Sequence, residues 1–247
     1  MVKRIKAVKL FLALGLTASL ASACSSPSSD VTQDTSNNDN SAEVATGDSS
    51  QESELSPGEQ ANADFKDKLS GAELLSALKE GGHIIYFRHA QTEKDYADQA
   101  DPNMSLDDCE TQRKLNDVGI QQAKDIGAAF KDKEIPVDKV ISSDYCRAWQ
   151  TAEIAFGRYD KDSKLNFLPF EEYTDAQVEE MKANVTPLLT TVPSDGQNTV
   201  IVGHDDIFEA ATGIYPDPMG IAYVLTPDGN GGFELVANIL PEEWAGL

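Results

Sequence analysis

The sequence predicts an α/β fold, a three-layer α/β/α sandwich around a mostly parallel, mixed sheet. Three observations carry this expectation. Strand-length apolar runs alternate with helical stretches in the order strand, helix, strand, helix, strand, which calls for parallel strands with helices on both faces. The run Ile84 to Phe87 is apolar throughout, as a strand buried on both faces requires. Near the C-terminus, Ile221 to Leu225 and Phe233 to Ile239 flank Asp228-Gly229-Asn230-Gly231-Gly232, a hairpin signal that makes the sheet mixed.

The chain opens with Lys3, Arg4, Lys6 and Lys9, followed by an apolar stretch from Leu10 to Leu20 that is too short to span a bilayer. That pattern is an export signal. The segment Leu20-Ala21-Ser22-Ala23-Cys24 resembles a bacterial lipobox, which implies cleavage before Cys24 and lipid chains on that cysteine. The alternative is an ordinary signal cut near the same Ala-x-Ala, leaving Cys24 unmodified or discarded. Several acyl chains on one residue anchor stably, whereas one holds only marginally. Residues 25 to 64 carry nine acidic side chains, no Lys or Arg and no aromatic residue, so they are read as a disordered tether. Forty flexible residues have a root-mean-square reach of roughly 35 Å.

The domain is then expected over residues 65–247. Ser70-Gly71-Ala72-Glu73 has capping-box spacing, Leu74, Leu75 and Leu78 share one face, and Gly81-Gly82 can end the helix. After the first strand, Val118, Ala123, Ile126 and Phe130 mark a helix from Asn116 to Lys131. Val137 to Ile141 reads as the second strand, Ser142-Ser143-Asp144 as a turn, and Tyr145 to Phe156 as a helix. Thr174 with Gln177 offers another capping box, and Pro187 is expected to kink or end the helix that follows. Thr199 to Val202 is the third strand.

Charge narrows the function. The chain carries 20 Lys plus Arg against 42 Asp plus Glu, a net charge of −22, which argues against a nucleic-acid partner. Within residues 65–247 there are 16 basic and 33 acidic side chains, so an anionic substrate must meet a local positive pocket. Arg88-His89 follows the first strand, Arg147 opens the helix after the second, and His204 follows the third. Ligands of open α/β sheets bind outside the carboxyl ends of the strands, so this topology gathers two arginines and two histidines at one rim. Singly, His89 could be a strand-end histidine satisfied by a carboxylate, and Arg147 could pair with a surface acid. His83 belongs to no such group and is read as structural or exposed. Trp149, Phe156 and Phe130 are read as core or pocket wall, and Arg113 as a solvated charge or a neighbour of the pocket.

Three ordered blocks resemble the histidine phosphatase superfamily, in its phosphoglycerate mutase-like branch. Tyr86-Phe87-Arg88-His89-Ala90-Gln91-Thr92 is similar to its Arg-His signature. Ser142-Ser143 with Arg147-Ala148-Trp149-Gln150-Thr151-Ala152 is similar to its second block, and Val202-Gly203-His204 to its third. Leu115-Asn116-Asp117-Val118-Gly119 also resembles the opening of the family's first long helix. The resemblance implies the histidine phosphatase fold and a phosphoric monoester hydrolase acting on a small phosphorylated substrate. In it His89 is the nucleophile, and Arg88, Arg147, His204 and Thr92 hold the phosphate, with no metal and no cofactor. For the proton donor, Asp205 resembles the His-Asp pair of the acid phosphatase branch, with Glu171 and Glu172 as rivals and Asp206 as a solvated neighbour.

With Cys24 assigned to the anchor, Cys109 and Cys146 remain, and in an exported protein an even pair favours a disulfide over two free thiols. The expected protein is therefore an extracytoplasmic phosphatase whose contact with the membrane is its lipid anchor. The competing readings are a non-catalytic lipoprotein that binds phosphorylated ligands, and a phosphomutase.

Overall fold

The computed structural model describes residues 55–93, 98, 101–170 and 172–247. The export signal, Cys24, most of the acidic segment and Glu171 lie outside the described residues. The chain divides into two units, Met1–Gln51 and Glu52–Leu247, and the second holds every element below.

Six strands form one sheet: β1 (Ile84–Arg88), β2 (Val137–Ser142), β3 (Asp160–Lys161), β4 (Asn198–Gly203), β5 (Ala222–Pro227) and β6 (Phe233–Ile239). Their order is β3-β2-β4-β1-β5-β6. The first four neighbours are parallel, while β5 and β6 run antiparallel as a hairpin. Among the described residues six α-helices accompany them: α1 (Pro57–Asp64), α2 (Gly71–Glu80), α3 (Asp117–Asp132), α4 (Cys146–Phe156), α5 (Asp175–Thr190) and α6 (Asp205–Thr212).

Alternation along the central strands builds the three layers. Ile85 and Phe87 of β1 join Val140, Val200 and Val202 in a core closed by Leu78 of α2, Phe130 of α3, Ala148 of α4 and Trp244. Ile84 and Tyr86 face the other way, with Ile201 and Tyr223, against Met181 and Val185 of α5 and Phe208 of α6. The fully buried β1 and β4 are adjacent, so the loops leaving their carboxyl ends are neighbours. Among the described residues no helix is long and apolar enough to cross a membrane.

Three expectations need correction. Residues 57–64, assigned to the tether, form α1, capped by a Ser56/Glu59 box with Pro57 in its first turn. This helix belongs to the domain: Tyr215 N–H donates to Gly58 O (3.0 Å), and Asn62 joins Asp217 O (2.9 Å) and the Tyr223 hydroxyl (2.6 Å). Pro187 does not end α5, which continues to Thr190. Proline removes one donor near the helix end, where the Thr190 and Thr191 hydroxyls bond to Thr186 O and Pro187 O. Ser70 occupies the N-cap of α2 without a capping hydrogen bond, because Gly71 enters the helix at φ 51° and alters the first turn.

Candidate active site

His89 is fully buried just beyond β1. Its Nδ1 lies 2.8 Å from Ala90 O, a pure acceptor, so Nδ1 carries the proton and Nε2 carries a lone pair. Two guanidiniums point at that lone pair: Arg147 Nε at 3.2 Å and Arg113 Nη2 at 3.3 Å. Burial, followed by Arg147, Arg88 and Arg113, holds the His89 pKa well below the usual imidazole value. The result is a neutral imidazole whose unprotonated nitrogen sits among cationic donors.

Local sequence explains this placement. Thr151, one turn into α4 from Arg147, accepts from Ala90 N–H (3.1 Å) and donates to Arg147 O (2.7 Å), joining the histidine loop to the arginine helix. At Gly119 of α3, a β-carbon would stand 2.0 Å from Gln91 O, so only glycine permits this approach to the same loop. Tyr86 sets His204: its hydroxyl donates to His204 O (2.7 Å) and accepts from His204 N–H (3.0 Å). Gly203 leaves room for that hydroxyl, which would lie 2.2 Å from a β-carbon.

His204 meets His89 edge-on, with ring centroids 5.4 Å apart, and packs against Tyr145 and Phe167. Its Nε2 lies 2.9 Å from Ser143 Oγ, whose proton goes to Asn166 Oδ1 (2.8 Å), so His204 Nε2–H is the donor. Burial first, then Arg147 and the other neighbouring charges, lowers the His204 pKa too. Arg147 lies over the Tyr145 ring at 4.8 Å, and its Nη1 pairs with Asp98 at 2.9 Å. The same Asp98 oxygen accepts from Arg113 N–H (2.8 Å), while its other oxygen is buried without a hydrogen-bond partner.

Arg88 is also buried, with a different set of partners. Its Nη2 is 2.6 Å from Asp205, and its Nη1 reaches Asp217 and Pro216 O, each at 3.0 Å. Burial raises the Asp205 carboxyl, but Arg88 and a hydrogen bond from Tyr215 outweigh that and hold it below its ordinary value. This ion pair bears on the expectation for Asp205, because a carboxylate locked to Arg88 does not readily store a proton at neutral pH. Asp206 does: burial, then the Asp205 charge, pushes its carboxyl up to about 7. Tyr173, whose hydroxyl lies 3.0 Å from Leu168 O, and the Asp205 carboxylate are its neighbours.

The structure thus brings His89, Arg147 and His204 together with Arg113, which the sequence left open as a solvated charge or a neighbour of the pocket, and with Asp98, which sequence reasoning did not place there. Arg113 stands two residues before Leu115, in the stretch opening α3, and that position was its only available signal. The Thr92 hydroxyl lies 3.6 Å from Met219 Sδ, and Thr92 bridges to Leu115, joining the histidine loop to the approach to α3. Cys109 and Cys146 are disulfide-bonded. His83 bonds Thr226 through Nδ1 (3.0 Å), and Phe130 and Phe156 pack in the core region, as expected. Among the described residues no group of three or more His, Cys, Asp or Glu is arranged to hold a metal ion.

No curated protein sequence matches the chain. Similar solved structures include the protein histidine phosphatase SixA complexed with tungstate, at 15% identity and a TM-score of 0.48, covering 65% of this chain and 98% of that one. Others are mycobacterial glucosyl-3-phosphoglycerate phosphatase Rv2419c with VO3 (16%, 0.45, covering 63% and 97%) and phosphoserine phosphatase from Entamoeba histolytica with 3-phosphoglyceric acid (16%, 0.47, covering 63% and 95%). The family model of the histidine phosphatase superfamily (branch 1) matches residues 84–195, which hold His89, Arg113 and Arg147. Over that stretch, where those residues converge as described, the chain resembles the histidine phosphatase superfamily, branch 1.

Proposed function

We propose that the protein hydrolyses a phosphomonoester through a phosphohistidine at His89. The observation that carries this reading is the His89 Nε2 lone pair held between Arg147 and Arg113. A tetrahedral anion entering among those donors would exchange their contacts with the imidazole for contacts with its own oxygens. Nε2 then attacks phosphorus in line, and the bond to the leaving oxygen breaks as that oxygen takes a proton from Asp206. Water attacks the phosphohistidine, returns a proton to Asp206, and releases phosphate with His89 restored. Bound anion charge offsets the cations that depress His204, which favours its protonated form on the phosphoryl oxygens. Arg88, tied to Asp205, contributes field and rigidity.

We further propose, from the N-terminal sequence, that the enzyme is exported and held at a membrane by lipid on Cys24. The test of the chemistry is hydrolysis of p-nitrophenyl phosphate in the presence of a chelator. Turnover abolished by His89→Ala in a folded protein supports the enzyme, and phosphate binding without turnover in the unaltered chain supports the binding protein instead.

A further inference from the structure

We propose that the Cys109–Cys146 disulfide is a positioning element of the active site, holding Arg113 of one segment and Arg147 of another on the same nitrogen of His89. The inference rests on the reading of His89 as the reacting group.

Each cysteine sits just ahead of one of these arginines. Cys146 is the first residue of α4 and Arg147 the second, while Cys109, four residues before Arg113, opens a short 3-10 turn (Cys109–Thr111). The bridge closes a separation of 37 residues. Both guanidiniums are buried and both approach His89 Nε2, so they repel one another, and that repulsion also lowers the Arg147 pKa after burial itself. Something must hold the two segments together against it.

Several links do so: the disulfide, Gln112 Oε1 accepting from Cys146 N–H (2.8 Å), Gln150 Nε2 of α4 reaching Cys109 Sγ (4.0 Å), and Asp98, which accepts a hydrogen bond from each segment. Within the turn the bonds are local: Gln112 Nε2 and the Thr111 hydroxyl bond Ser105, and Asp108 caps Glu110. The turn is therefore a compact unit that can shift as a body. Neither bridged cysteine belongs to the two apolar cores, so releasing the bridge loosens the Arg113 segment while leaving the sheet packed.

Cys109 is half-buried and Cys146 buried, so a dithiol reductant attacks at Cys109 Sγ. Its thiolate forms a mixed disulfide with Cys109 and expels the Cys146 thiolate. Its second thiol then displaces Cys109, leaving two protein thiols and an oxidised reductant.

The experiment measures kcat and KM of the full chain on p-nitrophenyl phosphate for the unaltered protein, Cys109→Ser/Cys146→Ser, Arg113→Ala, and the three changes together. Misplacing a catalytic donor by about 1 Å costs up to ~100-fold, so the serine pair is expected to lower kcat on the order of 10-fold. In the Arg113→Ala background the same pair should cost less than about 2-fold, because the group being positioned is gone. An equal cost in both backgrounds, or no cost, overturns the proposal. Should the serine pair not fold, reduction by a dithiol followed by reoxidation supplies the comparison, with activity expected to track the disulfide. If the unaltered chain has no turnover, the hydrolytic reading fails by itself, and calorimetric vanadate binding then decides: weaker binding by the reduced chain supports positioning, and equal binding overturns it.

Discussion

Replacing Asp206 with asparagine keeps the shape of the side chain and removes its transferable proton. The groups around Asp206 include Asp205, Arg88, Tyr173, Tyr145 and Tyr86, and burial with the Asp205 charge pushes its carboxyl from 3.8 up to about 7. About nine-tenths of the molecules then hold the proton at pH 6 and about one-tenth at pH 8, so turnover of an alkyl phosphate should fall about ten-fold per unit above pH 7. General acid catalysis contributes ~10²–10⁴-fold, and Asp206→Asn should lose that factor at pH 6 with alkyl substrates. A p-nitrophenolate leaving group needs little protonation, so the same variant should lose far less on p-nitrophenyl phosphate. The assay is a pH-rate profile with both substrates for Asp206→Asn and Asp205→Asn. Equal losses on both substrates, or a surviving alkaline limb in Asp206→Asn, would refute the assignment. Stability supplies a second sign. A carboxyl raised in the fold favours folding while protonated, so thermal stability should decline from about pH 4 through pH 7, and Asp206→Asn should flatten that decline.

Two further outcomes follow from the same geometry. Arg113→Ala removes one of the cations that lower the His89 pKa, so the acidic limb of the rate profile, where Nε2 takes a proton, should move to higher pH. A chain beginning at Phe65 lacks α1, whose Gly58 and Asn62 hold the Tyr215–Asp217 segment that in turn holds Arg88. It should hydrolyse p-nitrophenyl phosphate several-fold more slowly than the full chain, on the order of 10-fold if Arg88 shifts by about 1 Å. Equal rates for the two chains would show that α1 does not support the site.

What the sequence made legible were the features that depend on burial. The apolar run of β1 and the strand patterns of β2 and β4 located three strand ends, and parallel topology together with the three resembling blocks pointed to Arg88, His89, Arg147 and His204 at one rim. Asp98 escaped, and Arg113 was left between a solvated charge and a neighbour of the pocket, because they lie in a polar stretch where a solvated charge and a buried one look alike. Only the tertiary placement of that stretch beside α4 makes them buried. α1 escaped for a similar reason: it docks through Gly58 and Asn62 rather than through an apolar face, and the Ser56-Pro57-Gly58-Glu59 start signal was hidden in acidic surroundings. The proton assignment between Asp205 and Asp206 depends on which carboxyl meets Arg88, and adjacent residues of one type carry no such information in sequence.

The central claim is that His89 Nε2 becomes bonded to phosphorus. Rapid mixing of the full chain with a phosphomonoester, quenching in base, and mass spectrometry of the digested protein measures this directly. The account predicts one base-stable, acid-labile phosphoryl group on His89, formed and lost within a turnover and absent from His89→Ala. Turnover with the phosphoryl group on another residue, or with none at all, would contradict it.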